Sequence, residues 1–201
     1  MLENSKKKLA KACEILKMIS ENPNISIDVS VGTYKTIEDM IIAEEVDCGF
    51  MSGTMRKELK FVPLCVDRML ALVPPKLLPS GCKTLPLEAI SDIDFIIPGE
   101  GSNYDIGRIL RTAGVRPRVK YSVSDDYAAV AMAEGGLGMT IVPELILKGI
   151  GGNRAAVELE PACTRTIGIA ERSIGTGSPA CAAFMRFTEN WVKRHSEDAI
   201  Q

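Results

Sequence analysis

Nucleophiles and acids are plentiful in this chain, but the base that would activate them is nearly missing. His195 is the only histidine, and it stands close to the C-terminus. No Ser–His or Cys–His pairing can be drawn around it, and no ligand set at metal spacing is visible. The pattern therefore predicts neither an enzyme nor a metal protein. The cysteines, Cys13, Cys48, Cys65, Cys82, Cys163 and Cys181, are widely spaced and include no C-x-x-C pair. They read as reduced thiols, buried or half-buried, and not as a disulfide framework. What remains is a set of short loops carrying hydroxyls and glycines. These are "VGTYKT" with Thr33, "FMSG" with Ser52 and Gly53, "PGEGSNYD" with Gly99, Gly101, Ser102 and Asn103, and "SVSDDYAAV" with Ser124 and Asp125. Loops of this kind bind by convergent donors. The glycine-rich one is neither G-x-x-x-x-G-K-[ST] nor G-x-G-x-x-G, so it is no dedicated phosphate motif. No cofactor is expected.

Helices and strands must hold these loops in place. In "MAEGGLGMTIVPELIL", small apolar residues end at Gly135 and Gly136, which suit a helix stop. Met139 to Val142 read as a short buried strand, and Pro143 with Glu144 as the start of a new helix. The same reading applies along the chain. Ser5 to Ser20 places Leu9, Ala12, Cys13, Leu16 and Ile19 on one helical face, with "SKKKLAK" as its solvated side. "ISIDVSVG" alternates as a half-buried strand. "TYKTIEDMIIAEEV" is a helix capped at Thr33 or Thr36. "DCGFMSG" is a short strand, and "KFVPLCVDRMLALVPP" a longer one. "LPLEAISD" is a short helix. "DFIIPGEGSNYDIGRILRTAGV" runs strand, loop, helix and glycine stop, and "RVKYSVSDDYAAVAMAEGG" runs strand and capped helix. "TIGIAER" is a strand, and the final amphipathic helix contains Trp191, expected in the core. Arg68 would meet an anionic effector or pair with neighbouring acids. The alternation predicts an α/β fold with a largely parallel sheet.

Composition narrows the partners. The 201 residues suffice for one ordinary domain or two small ones. A net charge of −2 and a pI of about 5.6 argue against a dedicated nucleic-acid surface on this chain. No run approaches the roughly 18 apolar residues of a membrane span, and "MLENSKKKLAKACEILKMISENPN" lacks a signal-peptide core. A cytoplasmic location, with no membrane partner, is the expectation.

The order of these pieces resembles the effector-binding domain of LysR-type transcriptional regulators. The resemblance rests on "AGVRPRVKYSVSDDYAAVAMAE" followed by "GLGMTIVP", and on "EEVDCGF" as a G-x-x-D-x-G/A-like strand entry; it covers nearly the whole chain. It implies two Rossmann-like lobes similar to type II periplasmic binding proteins, joined by two crossover strands, "VDRMLALVP" and "RTIGIAER". Lobe I would comprise residues 1–67 and 166–201, and lobe II residues 68–165. It implies a small-molecule effector, an organic anion being expected, in the cleft between the lobes. Helix N-termini would supply donors there. Thr33, Ser52, Gly53, Gly101, Ser102 and Asn103 would be the effector-binding residues, with Val142 and Pro143 shaping the wall. Ser124 and Asp125 read as a helix cap. The family also implies a homodimer or homotetramer, and DNA contact only through an N-terminal winged helix-turn-helix. No such domain is present in this sequence, and the strand that usually opens lobe I is also missing from it. A free-standing solute-binding protein of a transport system is the alternative on the same fold.

Overall fold

Thr33 opens the first described helix, α1 (Tyr34–Ile42): its hydroxyl accepts a hydrogen bond from the Thr36 amide at 3.2 Å. The computed structural model describes residues 24–53, 56–78, 81–99, 102–150, 156–173 and 178–199. After α1 come β1 (Cys48–Met51), β2 (Leu59–Leu72), β3 (Thr84–Pro86) and β4 (Asp94–Pro98). Then follow α2 (Asn103–Ala113), β5 (Arg118–Val123), α3 (Asp126–Glu134), β6 (Thr140–Pro143), α4 (Glu144–Ile150), β7 (Ala156–Arg172) and α5 (Pro179–Ala199). "LPLEAISD" forms a 3-10 turn over Leu87–Asp92 in place of the expected short helix. Gly114 ends α2 in the left-handed conformation, φ 69°, as the glycine stop predicts.

Residues 32–173 form one compact unit; residues 1–31 and 174–201 are grouped as a second. In the larger unit, one sheet has the order β1-β7-β2-β6, with β3 added on β7, and a second pairs β4 with β5. The expectation of a largely parallel sheet is corrected here. β1, β2 and β6 all pair antiparallel to their neighbours, and β3 on β7 and β4 with β5 are the parallel pairs. The cause is the long strand β7, which returns along the whole of β2, from Leu72 opposite Ala156 to Leu59 opposite Arg172. Alternation of elements along the chain does not reveal a pairing between strands so distant in sequence. "TIGIAER" is correspondingly only the end of a strand ten residues longer at its start.

Three apolar clusters support these sheets. The first gathers Met69, Ala71, Phe95, Ile106, Ile109, Met139, Ile141 and Leu159 under α2. The second packs Leu72, Ile96 and Val142 against Ala129, Val130 and Ala133 of α3. The third packs Ile41 of α1 against Met51, Leu59 and Ala170. Gly138 is required where β6 approaches β4: a Cβ there would stand 2.5 Å from the Asp94 carbonyl oxygen. That close approach lets Met139 donate to Asp94 O at 2.8 Å and Ile96 donate to Met139 O at 2.8 Å.

In the smaller unit, α5 is the expected final helix, and Trp191 is half-buried in it. The expected strand over Ile25–Val31 is not formed. The segment pairs with no described strand, and Val29 and Val31 are 83% and 94% exposed. A half-buried strand needs both a ladder partner and a surface for its apolar face, and alternation alone supplies neither. The predicted helix over Ser5–Ser20 lies outside the described residues, as does the side chain of His195.

Candidate functional site

The two long strands each bring one charged residue into the interior of the larger unit. Asp67 on β2 is 2% exposed and Arg165 on β7 is 9% exposed. They stand opposite each other in the ladder. Arg165 donates to Asp67 Oδ2 from Nε at 3.0 Å, and its Nη2 lies 2.9 Å from the same oxygen. The other oxygen, Asp67 Oδ1, accepts from the Leu145 amide at 3.1 Å and so caps the first turn of α4. Burial pushes the Asp67 carboxyl above its ordinary range, and Arg165 and the Leu145 amide pull it back.

Arg165 also reaches a second carboxylate. Its Nη1 lies 3.6 Å from Oδ2 of Asp105, a fully buried residue in the first turn of α2. Asp105 is further held from the α1–β1 side. Ser52 donates to Oδ1 at 2.8 Å and Tyr34 donates to Oδ2 at 3.3 Å. Tyr34 is pushed up to about 12, first by burial and then by the Asp105 charge, so its phenol stays a donor. Its ring meets Tyr104 edge-on, with centroids 5.8 Å apart. Arg108, half-exposed, approaches Asp105 at 3.7 Å and donates to the Thr164 carbonyl at 3.3 Å.

A third carboxylate completes the group. Asp126, in the first turn of α3, is 8% exposed, and Ser102, just before α2, is fully buried. Burial raises the Asp126 carboxyl; the Ser102 hydroxyl and amide and the Arg165 charge draw it down. The two side chains thus sense each other, yet neither Asp126 Oδ1 nor Ser102 Oγ completes a hydrogen bond of acceptable geometry. The neighbouring Asp125 is the cap: its Oδ1 accepts from the Ala128 amide at 2.8 Å. The polar group therefore lies where elements from all three apolar clusters converge. It contains hydroxyls, carboxylates, the buried Arg165 guanidinium and, at its rim, Arg108, groups able to hydrogen-bond a polar ligand.

The sequence-predicted residues divide accordingly. Ser52 and Ser102 stand in this group. Gly53, φ 79°, and the half-buried Thr33 flank it in sequence beside Ser52 and Tyr34. Asn103 is the half-buried first residue of α2, and Val142 and Pro143 are buried in β6. Val142 packs in the second apolar cluster, and Pro143 pairs with Met69 of β2. Gly101 lies outside the described residues. Tyr34, Asp67, Asp105, Asp126 and Arg165 were not singled out from the sequence. A signal was present: Asp105 shares a helical face with Ile109, and Asp126 shares one with Val130 and Ala133, all buried. A carboxylate at a core position of an amphipathic helix marks a polar site. Arg68, by contrast, meets only surface acids, Glu144 at 2.7 Å and Glu158 at 2.6 Å.

A separate cavity of about 330 Å³ opens between Leu87, Arg108, Ile109, Pro161, Cys163 and Thr164. Burial pushes the Cys163 thiol up, so it is not an activated nucleophile. Among the described residues no three His, Cys, Asp or Glu side chains are grouped to hold a metal, and no helix is long and apolar enough to cross a membrane.

Residues 15–193 match the family described as LysR substrate binding domain. The chain is 20% identical over 129 residues to the HTH-type transcriptional regulator CysL of Bacillus subtilis (strain 168), a match covering 63% of this chain and 43% of that protein. The chain thus spans less than half the length of this relative. Solved structures that share the fold include two complexes with small molecules. One is the regulatory domain of CcmR from Synechocystis PCC6803 in complex with 2-PG, with a TM-score of 0.79, 17% identity, and coverage of 94% of this chain and 93% of that one. The other is the effector binding domain of QuiR in complex with shikimate, with a TM-score of 0.75, 19% identity, and coverage of 92% and 90%.

Proposed function

The chain belongs to the LysR substrate binding domain family, and from that premise we propose that it senses a small effector at the group formed by Tyr34, Ser52, Ser102, Asp105, Asp126 and Arg165. The observation that supports this most directly is the hydrogen-bonded bridge on Asp105. Ser52 and Tyr34 reach it from the α1–β1 side, and Arg165 reaches it from a long strand. In this reading, residues 1–67 with 166–201 and residues 68–165 are the two lobes, and β2 and β7 carry the crossovers. Thr33, Gly53 and Asn103 add effector contacts, and Val142 and Pro143 shape the wall. An effector that binds one arrangement of Asp105 better than another shifts the population of lobe arrangements by its differential affinity and by no more. DNA is contacted by another part of a longer cytoplasmic regulator, which works as a homodimer or homotetramer, and the domain itself is not catalytic.

The test is thermal stability of the purified chain against small organic acids, amino acids, amines and sugars at millimolar concentration. A ligand at about 100 times its dissociation constant adds about 2.7 kcal/mol to stability. The expected result is a specific shift that is lost in Ser102→Ala and in Ser52→Ala. A shift that both variants retain would place the ligand elsewhere and sink this reading.

A further inference from the structure

Resting on that reading, we infer that the effector carries a protonated amine, seated against Asp126 and Ser102 beside the Asp105–Arg165 pair. Three observations lead there. First, the donors that a ligand acid would need are already engaged. Ser52, Tyr34 and Arg165 all point at Asp105, and Arg165 is shared with Asp67. Asp105 is in effect a carboxylate built into the protein. Second, the group holds three buried carboxylates, Asp67, Asp105 and Asp126, and a single buried guanidinium. Arg108 approaches from the rim at 3.7 Å and is itself turned toward the Thr164 carbonyl. The organic anion expected from helix N-termini would add a further negative charge to this excess.

Third, the two side chains left incomplete both accept. Asp126 Oδ1 and Ser102 Oγ are buried without a hydrogen-bond partner. An ionised carboxylate oxygen can only accept, while a serine oxygen accepts and donates once. One small group that satisfies both must donate to Asp126, exchange a hydrogen bond with Ser102 and tolerate the negative field. An ammonium does all three, with three N–H bonds and a positive charge. A ligand hydroxyl could donate to Asp126 and accept from Ser102, but it brings no positive charge to balance the buried carboxylates. Asp125 does not compete, because its carboxylate is spent on the Ala128 amide.

The experiment uses matched sets on one carbon skeleton: propylamine, alanine, propionate and propanol, and the corresponding longer sets up to six carbons. Each is titrated into the full chain by calorimetry and followed by thermal shift. The amine or the amino acid is expected to bind, and its acid and alcohol counterparts are not. Asp126→Asn should weaken that binding at least tenfold, about 1.4 kcal/mol. The unliganded Asp126→Asn protein should melt no lower than the parent, because an amide replaces a buried carboxylate whose Oδ1 lacks a hydrogen-bond partner. Ser102→Ala should lose the binding as well and keeps the test available should Asp126→Asn fold poorly. Tighter binding of an acid than of its amine counterpart overturns the inference and leaves the effector-binding reading intact. So does a ligand from the wider panel that lacks any cationic group, or amine binding that survives both variants. No binding by any compound overturns both.

Discussion

Replacing Arg165 by methionine keeps much of the side-chain volume and removes the one buried cation among the described residues. The structure sets the scale of the effect. Arg165 lies 2.9 Å from Asp67 and 3.6 Å from Asp105, with 9% of its surface exposed. Two unit charges about 4 Å apart interact by about 4 kcal/mol at the effective dielectric of a partly buried pair. Desolvation of the guanidinium offsets part of this, but the carboxylates stay buried when it is removed. Breaking a buried pair from one side therefore costs about 3–5 kcal/mol. The pH dependence follows from Asp67. Burial holds its carboxyl above the ordinary value of 3.8, and Arg165 pulls it down. Removing Arg165 raises it further. A raised folded-state pKa means that ionisation costs the folded state. That cost is absent below the unfolded value and complete above the folded one. The deficit of Arg165→Met should therefore be larger at pH 7 than in mild acid, shrinking as the pH falls through the raised range toward 3.8. Urea denaturation at pH 7 and at mildly acid pH measures both numbers, with equal m-values as the control. Adding Asp67→Asn to Arg165→Met should recover part of the loss at pH 7, because it removes one of the uncompensated charges. A deficit under about 1 kcal/mol at pH 7, or one equal at both pH values, would refute the view that buried charge pairing holds this site.

Other substitutions separate the site from the surface and from the scaffold. Ser52→Ala deletes a 2.8 Å hydrogen bond to a buried carboxylate, and chemical denaturation should show a loss of about 1.5–3 kcal/mol. Arg68→Ala breaks contacts to Glu144 and Glu158 made by a side chain that is 52% exposed; the same assay should register less than about 1 kcal/mol, further reduced by salt. Gly138→Ala puts a Cβ 2.5 Å from the Asp94 carbonyl oxygen and should cost about 1–3 kcal/mol through displaced backbone, read as a lowered midpoint in the urea melt.

Much of the fold was legible because local chemistry and tertiary context agree. Thr33 caps α1, Asp125 caps α3 and Gly114 stops α2, each as its residue type and position require. The "EGGLGMTIVP" break is a helix end, a close backbone approach and a buried strand, because Gly138 leaves room for Asp94. The failures occurred where a partner distant in sequence decides the outcome. The order of elements suggests parallel pairing, but β7 is set by its antiparallel ladder with β2. The alternation over Ile25–Val31 is as regular as in any strand of the fold, yet Val31 stays 94% exposed with no described ladder beside it.

The site was half legible for a related reason. Loop hydroxyls announce themselves between helices and strands, and Ser52 and Ser102 are of this kind. Charged residues inside periodic segments are hidden by the periodicity, which assigns each turn of a helix to one face and passes over the exception. Asp105 and Asp126 are such exceptions. Each occupies an inward position beside Ile, Leu, Val or Ala neighbours that are buried. Leaving a carboxylate there is costly unless something compensates it. Asp105 has its compensation within the chain, from Ser52, Tyr34 and Arg165. Asp126 Oδ1 does not. Two acids on equivalent first turns, equally hidden in the sequence, thus differ in one respect: one is satisfied by the fold and the other is not. That difference separates the carboxylate that the fold pairs from the one proposed to receive a ligand.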